Sequence, residues 1–267
     1  MKKTLALLIA VMMIASLFTL TGCAKKEDLD YIKGKGNLVI GFTYFAPMNY
    51  DDDNGEFVGF ETEFAKAVCS KLGIEPKFQE INWETKETEL NARNIDCIWN
   101  GMSITDERLQ TMGISTPYME NKQILVVKAE NAGKFADAGA LKGAKIVAEQ
   151  GSAGEEVAQS NAFFAESEYT GVSAQSKALM EVFAGTADGA VIDYVMSIGS
   201  IGEGTDYADL VTVDSMAFEP EQYGIAFRKG DEKLLAAVNG AITELVNDGT
   251  LKTIAEKYKL EDLLIAK

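Results

Sequence analysis

Short apolar segments alternate with segments of helical periodicity along this chain. Residues 38–40 form an apolar run, apolar side chains recur at helical spacing over 60–72, and a second strand, broken by Pro76, is predicted at 74–81. Gly73 stops the predicted helix, because glycine readily adopts the left-handed conformation that ends helices. Strands that alternate with helices form mostly parallel sheets. The sequence therefore predicts an α/β fold.

The same alternation returns in the second half of the chain, with apolar strands predicted at 145–148 and 190–192. We interpret the chain as two lobes of one design. The first lobe comprises 36–120 together with 222–267, and the second comprises 121–221. If 222–267 packs against the first lobe, the backbone crosses between the lobes twice and forms a hinge. A cleft between hinged lobes is a common site for a small ligand.

Residues 1–22 have the features of a signal peptide. Lys2 and Lys3 precede an apolar run without charge, and the run ends in a Leu-Thr-Gly-Cys sequence. This sequence resembles the lipobox of bacterial lipoproteins, which implies cleavage before Cys23, acylation of its thiol and anchoring to a membrane. A plain secretory signal and a retained membrane helix are the alternatives. The polar residues 23–35 are predicted to form a short tether.

The chain is acidic and contains no histidine. It has 41 aspartates and glutamates against 25 lysines and arginines, a formal net charge of −16, which disfavours binding to nucleic acid. The lack of histidine excludes Ser-His-Asp and Cys-His catalysis and every zinc motif built on histidine. Cys69 and Cys97 lack metal-binding spacing, and we interpret them as buried free thiols rather than a disulfide. We expect no metal and no cofactor.

Arg108 is the strongest single candidate for ligand binding. Thr105 is a good helix N-cap, which places Arg108 in the first turn of a helix. Its guanidinium can bind a carboxylate through two parallel hydrogen bonds. Ser103 can donate a hydroxyl to the same carboxylate, and Gly101 lets the backbone approach closely. The alternative is an arginine paired with an acidic neighbour on a solvated helix.

Asp193 follows the apolar strand at 190–192 and is the candidate partner for a positive charge. Sheets of the α/β type place ligands at the C-terminal ends of their strands. An α-amino acid has one carboxylate and one ammonium, so Arg108 and Asp193 supply one partner for each. The alternative role for Asp193 is a turn or a helix cap.

An ordered set of motifs resembles the family 3 extracellular solute-binding proteins, the polar amino-acid receptors of ABC importers. The set extends over 36–260. Its members, in chain order, are Ala46-Pro47, Gly59-Phe60-Glu61, Trp83, 101–108, Thr116-Pro117-Tyr118, Gly151-Ser152, Asp193 and 222–227. The resemblance implies the type II periplasmic-binding-protein fold, with two parallel-sheet lobes joined by a two-strand hinge.

The resemblance also implies which residues hold the backbone of a bound amino acid. The implied ligands of the carboxylate are Arg108, Ser103, Ser152 and Ala153. The implied ligands of the ammonium are Asp193 and Gly101. The segment that begins at Ser152 resembles a helix capping box, and helix N-termini favour anions, so capping and carboxylate binding are compatible.

Four residues are implied to contact the ligand's side chain, namely Phe45, Trp83, Asn100 and Glu149. Phe45 and Trp83 match positions where aromatic rings sandwich the side chain, although aromatic residues more often belong to the core. Glu149 could favour a cationic side chain or could be a surface residue facing the hinge. Phe42 occupies a position where some relatives that bind basic amino acids carry aspartate, which weakens that assignment. The specificity therefore stays open.

The resulting hypothesis is a monomeric, extracytoplasmic lipoprotein that binds a free polar L-amino acid and delivers it to the transmembrane permease subunits of an ABC importer. No catalytic activity is expected. The alternative is an enzyme similar to the cyclohexadienyl dehydratases, which share this fold and a carboxylate-binding arginine. Glu149 would then act as a general acid. The retention of Asp193 for an ammonium favours the receptor.

Overall fold

A computed structural model of the chain describes residues 28–135, 138–213 and 218–265. The predicted signal peptide at 1–22 and the predicted lipidation site Cys23 lie outside these residues. Within the described part, no helix combines the length and the hydropathy needed to cross a membrane.

Strands and helices alternate along the described residues, as the periodicity predicts. The strands are β1 (Asn37–Phe42), β2 (Tyr50–Asp51), β3 (Phe57–Val58), β4 (Glu75–Glu80), β5 (Cys97–Ile98), β6 (Met112–Ile114), β7 (Met119–Lys128), β8 (Lys145–Glu149), β9 (Glu168–Val172), β10 (Gly189–Asp193), β11 (Leu210–Thr212), β12 (Pro220–Tyr223) and β13 (Ala226–Arg228). The α-helices are α1 (Asp28–Lys35), α2 (Phe60–Leu72), α3 (Lys86–Asn91), α4 (Asp106–Thr111), α5 (Ala153–Ser160), α6 (Gln175–Ala184), α7 (Tyr194–Ser200), α8 (Glu232–Asn247) and α9 (Thr250–Lys257).

Most of these strands build two sheets with the same order of five strands, to the second of which β12 adds a further pairing with β7. Strands β2 and β3 pair with each other. The first sheet has the strand order β4-β1-β5-β13-β6, and the second has the order β9-β8-β10-β7-β11. We call the parts of the chain around them the first and the second lobe. In each sheet one strand runs against the other four, β13 in the first and β7 in the second. The two-lobed α/β fold class is confirmed.

The reversed strands explain why the sheets are mixed rather than wholly parallel. β7 begins beside β12, where Met119 lies opposite Tyr223 and Lys122 lies opposite Pro220, and then continues into the second sheet. β12 is followed by β13 in the first sheet. Each reversed strand therefore directly follows a passage from the other lobe, so it enters its sheet from the opposite end. The residue bounds of the two lobes stay a prediction.

Helix α2 forms where the apolar periodicity predicts it. Phe60, Phe64 and Val68 are fully buried, and each buried side chain of this size contributes roughly 1.5–3 kcal/mol relative to an exposed one. Gly73 ends the helix in the left-handed conformation, with φ 68°. Cys69 on this helix and Cys97 on β5 are both buried and free, as predicted.

Helix α1 belongs to the folded first lobe and not to the tether predicted for 23–35. It packs against α8, and Ile32 is fully buried in the core. The Asp28 carboxylate accepts the N–H groups of Lys233 and Leu234 at 2.7 and 2.6 Å. The sequence pattern did not predict this helix, because one buried side chain in a polar segment produces no helical periodicity.

We expect Asp28→Ala to lower the free energy of unfolding by about 1 kcal/mol, because the first N–H groups of α8 lose their cap. Asp28→Asn keeps one side-chain oxygen as an acceptor and is expected to retain most of this stability. Urea unfolding measures both variants, with Asp30→Ala at an exposed neighbouring position as the control. An unchanged midpoint for Asp28→Ala would show that α1 does not hold α8 in solution.

Candidate functional site

A small cavity lies between the lobes, beyond the C-terminal ends of β5, β8 and β10. The residues that line it are Trp83, Asn100, Gly101, Ser103, Arg108, Glu149, Ser152, Ala153, Gln175 and Asp193. Nine of the ten residues predicted to bind a ligand are in this set, and Phe45 is the exception. The strand ends of an α/β sheet are where such proteins place their ligands, so the predicted residues meet at a plausible binding position.

Arg108 lies in the wall of this cavity and not on a solvated helix. The Thr105 hydroxyl accepts the N–H of Arg108 at 3.2 Å, which confirms the predicted N-cap. The guanidinium of Arg108, whose residue is 9 % exposed, donates to the carbonyl oxygens of Ser103 at 2.8 Å and Gly151 at 3.2 Å. It forms no salt bridge with any carboxylate of the described residues, so its charge remains free to attract an anionic ligand group.

Asp193 is buried among amide side chains. Its carboxylate accepts hydrogen bonds from Asn121 at 2.5 Å and Gln123 at 2.6 Å, and also from Gln175. Asn121 and Gln123 also donate to Glu221 on β12. Although Asp193 directly precedes α7, its side chain caps none of the helix N–H groups. The amides therefore orient the carboxylate without neutralising its charge.

Burial controls the protonation of the acidic groups at the site. Burial, and then the charge of Glu221, raise the pKa of Asp193 to about 7. Burial, and then the charge of Asp193, raise the pKa of Glu149 to about 8. One buried oxygen of Glu149 has no hydrogen-bond partner among the described residues. A cation in the cavity would lower both pKa values, because it stabilises the carboxylates.

Buried groups of the first lobe bind and pack against the backbone of Gly101. Its N–H donates to the two carboxylate oxygens of Glu61 at 2.9 and 3.1 Å, and the Tyr118 hydroxyl donates to the same carboxylate. Burial raises the pKa of Glu61 to about 7. Gly101 has φ 56°, and a Cβ there would lie 2.5 Å from the ring of Phe45. Phe45 thus packs beneath the glycine and belongs to the core.

Two predicted ligands use their polar atoms within the protein. The Asn100 carbonyl oxygen accepts the N–H and the hydroxyl of Thr43 at 3.0 and 2.8 Å, and its amide nitrogen donates to Asn49 at 2.8 Å. The Ser103 hydroxyl donates to Glu221 at 2.9 Å. These bonds hold the loop that follows β5, so Asn100 has a structural role whatever its contact with a ligand.

Trp83 and Phe42, two further aromatic residues considered in the sequence, lie in different surroundings. Trp83 lines the cavity from a 3₁₀ turn that precedes α3 and is 4 % exposed. Phe42 instead belongs to an aromatic cluster of the first lobe, with its ring 5.5 Å from that of Tyr44 and 4.6 Å from that of Phe57. Phe42, which weakened the assignment to a basic amino acid, is not among the residues that line the cavity.

The loop that follows β8 enters α5 through side-chain caps. The Ser152 hydroxyl accepts the N–H of Glu155 at 3.0 Å, and the Glu155 carboxylate accepts the N–H of Gly151 at 2.6 Å. This differs from a regular capping box, because the N–H of Ser152 itself donates to the carbonyl oxygen of Glu149 at 3.2 Å. Ala153 begins the helix, and the first N–H groups of a helix lack partners within it.

The lobes contact each other at the carbonyl oxygen of Gly151. The ammonium of Lys86 on α3 donates to this oxygen at 2.8 Å and to the carbonyl oxygen of Trp83 at 3.3 Å, and Arg108 donates to the same Gly151 oxygen. Gly151 has φ 73°, and a Cβ there would lie 3.0 Å from the Cα of Glu84. A glycine is therefore needed for this close approach.

Sequence reasoning missed several polar residues at the site, namely Lys86, Asn121, Gln123, Gln175 and Glu221. Asn121 and Gln123 are two apart on β7, so they share one face of the strand, and this pair of amides could have served as a signal. Gln175 is the first residue of α6 and is separated from β9 by Ser173 and Ala174. Lys86 and Glu221 had no distinguishing pattern, because their proximity to the cavity depends on contacts distant in sequence.

Comparison with known proteins identifies the family of this chain. The sequence profile of the bacterial extracellular solute-binding proteins, family 3, matches residues 38–261. The chain belongs to this family. The matched range agrees with the resemblance that the motifs showed over 36–260, and the relatives include proteins named as amino-acid-binding components of ABC transporters.

Three known proteins illustrate the similarity of this family 3 protein to its relatives. It is 29 % identical over 263 residues to an L-cystine-binding protein of Escherichia coli K12, with 96 % of this chain and 95 % of the relative covered. It is 30 % identical over 219 residues to an L-arginine-binding protein of Pseudomonas aeruginosa, with 80 % and 84 % covered. A solved ancestral amino acid-binding protein, a precursor of cyclohexadienyl dehydratase, matches with a TM-score of 0.77 and 31 % identity, with 86 % and 98 % covered.

We expect Glu61 to make the folded protein less stable as pH rises from about 4.5 to about 7. In this range the folded state keeps a proton on Glu61 that the unfolded state has released. In wild type the free energy of unfolding is expected to fall by on the order of 3 kcal/mol across this range. Glu61→Gln cannot titrate at this position, so the variant is expected to lack this fall. Urea unfolding across this range measures the difference, with Glu75→Gln at the exposed start of β4 as the control. Parallel profiles for wild type and Glu61→Gln would contradict the raised pKa.

Proposed function

We propose that this protein is an extracytoplasmic receptor that binds a free polar L-amino acid in the interlobe cavity and delivers it to the permease of an ABC importer. One observation carries the proposal. Arg108 from the first lobe and Asp193 from the second are both buried and line the same cavity. A zwitterion supplies the carboxylate and the ammonium that these two charges require. Relatives named for the binding of cystine and arginine support the same ligand class.

In this proposal the ligand's two charged groups join the lobes. The carboxylate is assigned to Arg108, Ser103 and the N–H groups of Ser152 and Ala153, and the ammonium to Asp193 and the backbone of Gly101. A ligand that contacts both lobes stabilises the closed arrangement over an open one, because it gains the second set of contacts only on closure. Closure of this kind requires no cofactor.

The sequence and the family support an extracytoplasmic location with a lipid anchor. The family is described as extracellular, and the Leu-Thr-Gly-Cys sequence supports acylation of Cys23 and anchoring of a monomeric receptor to the membrane. An anchor of this kind keeps the receptor close to the permease that it serves.

A dehydratase is the second candidate, because an ancestral precursor of cyclohexadienyl dehydratase shares the fold. The Glu149 carboxyl lines the cavity, and its raised pKa suits a general acid. The buried Asp193 favours an amino acid over such a substrate, since it offers a partner to an ammonium. Incubation with prephenate and with arogenate separates the candidates, and formation of an aromatic product would overturn the receptor.

We expect Arg108→Ala to weaken binding of the best amino acid by at least about 100-fold, because the ligand carboxylate loses two charge-assisted hydrogen bonds. Arg108→Lys keeps the charge without the planar fork and is expected to retain part of the affinity. A thermal-shift screen of the twenty free amino acids identifies the ligand, and calorimetry measures the affinities. If none of the twenty amino acids stabilises the protein, or if Arg108→Ala binds the ligand with unaltered affinity, the proposal is wrong.

The state of Glu149 supports a ligand whose side chain carries a positive charge. Its residue is 2 % exposed, and one carboxyl oxygen lacks a partner among the described residues. A buried polar atom without a partner is costly, and a cationic donor from the ligand would satisfy it and convert the carboxyl to its ionised form. We therefore place the ligand's side chain against Glu149.

Arginine and citrulline test this placement, because they have similar shapes and differ in charge. We expect wild type to prefer arginine and Glu149→Gln to reduce the arginine-to-citrulline affinity ratio by about tenfold or more, since an interaction with a charged group contributes roughly 1.5–3 kcal/mol. Calorimetry near pH 7.5 measures both ligands, with Glu155→Gln as a control that alters a nearby glutamate bound to the protein backbone. A ratio that is equal in wild type and Glu149→Gln would exclude charge recognition by Glu149.

A further inference from the structure

Two buried cations converge on one oxygen where the lobes meet. Lys86 is 5 % exposed and Arg108 is 9 % exposed. Their charged groups donate to the same carbonyl oxygen of Gly151, at 2.8 and 3.2 Å, so they lie close together. Like charges at such a separation repel each other strongly away from bulk water. In agreement with this, burial and then the charge of Arg108 lower the pKa of Lys86 to about 8.

No acidic side chain of the described residues forms a salt bridge with either cation. The Glu155 carboxylate, which is bonded to the same residue as the two cations, accepts hydrogen bonds from the Gly151 N–H and from the Tyr169 hydroxyl. Lys86 itself donates only to carbonyl oxygens among these residues and lies 5.0 Å from the centre of the Trp83 ring. Buried charges in proteins are normally paired with an opposite charge. Neither cation of this pair has a salt-bridge partner within the described protein, and the acidic groups whose charges act on Lys86, namely Glu87, Glu149 and Glu155, form no hydrogen bond with it.

Both cations lie on the side of the cavity that is assigned to the ligand carboxylate, which could act as their salt-bridge partner. Gly151 directly precedes Ser152 and Ala153, which line the cavity. Arg108 lines the same cavity and shares its acceptor with Lys86. Lys86 itself is not among the residues that line the cavity, so its charge acts on the ligand across a short distance rather than by contact.

We propose that Lys86 is a specificity-determining residue whose charge, added to that of Arg108, makes tight binding depend on a free α-carboxylate in the ligand. The inference rests on the proposed function and extends it to the substrate class. Free amino acids are accepted, whereas α-amides and internal residues of peptides, which have no carboxylate at this position, are rejected. A lysine does this where an apolar side chain of similar length would not, because its charge attracts a carboxylate more strongly than a neutral carboxamide.

The test compares the best-bound free amino acid with its α-amide. The thermal-shift screen selects the amino acid with the largest effect, and calorimetry measures that amino acid and its α-amide on wild type and on three variants. Lys86→Met removes the charge and the hydrogen bond. Lys86→Gln keeps a donor for Gly151 without the charge, and Lys86→Arg keeps the charge. The exposed Lys142→Met in the second lobe is the control.

The quantity that decides is the ratio of the affinities for the acid and the amide. The cost of burying Lys86 on closure is common to both ligands, so it cancels from this ratio. We expect the ratio to fall about tenfold in Lys86→Met and in Lys86→Gln, and to stay near the wild-type value in Lys86→Arg and Lys142→Met. Urea unfolding of the ligand-free variants verifies that each one is folded.

The other outcomes overturn the inference in distinguishable ways. An unchanged ratio in Lys86→Met shows that the charge of Lys86 does not contribute to the discrimination between acid and amide, while the receptor function stands. A ratio that falls in Lys86→Met but not in Lys86→Gln assigns the effect to the hydrogen bond with Gly151 and contradicts recognition by charge. If wild type binds none of the twenty amino acids, the proposed function fails and the inference fails with it.

Discussion

The site depends on buried charged groups that neutral polar groups of the protein orient without neutralising their charge. Arg108 is held by carbonyl oxygens and Asp193 by amide groups. Hydrogen bonds of this kind position a charged group while leaving its charge in place, and an uncompensated charge in a buried site is unfavourable. A ligand with charges of both signs removes this penalty at both lobes at once. The proposed preference for a zwitterion thus has a basis in the protein's own electrostatics.

The fold brings these charges together through a repeated sheet topology. Both sheets have the same strand order with one reversed strand, and each reversed strand follows a passage from the other lobe. The paired strands β7 and β12 carry both passages, and Glu221 on β12 links to the Ser103 hydroxyl and to the amides that hold Asp193. The connection between the lobes therefore contributes to the same polar network as the cavity.

A layer of supporting groups keeps the cavity narrow. Glu61 and Tyr118 hold the backbone of Gly101 from within the first lobe, and Phe45 packs beneath that glycine. Gly151 allows the loop of the second lobe to approach Trp83 and Lys86 closely. These groups support the residues that line the cavity rather than line it themselves, which is why a description limited to the cavity lining omits them.

The sequence by itself determined the α/β alternation, the helix at 60–72, the N-cap at Thr105 and the residues around which the cavity forms. These features depend on local periodicity, on capping and on motifs with a fixed order, all of which can be read along one chain. Tertiary structure alone decided that helix α1 belongs to the first lobe, that Phe45 packs in the core, and that Lys86 meets Gly151. Each of these depends on a contact between residues far apart in sequence, and local pattern carries no information about which distant residue will fill the other side.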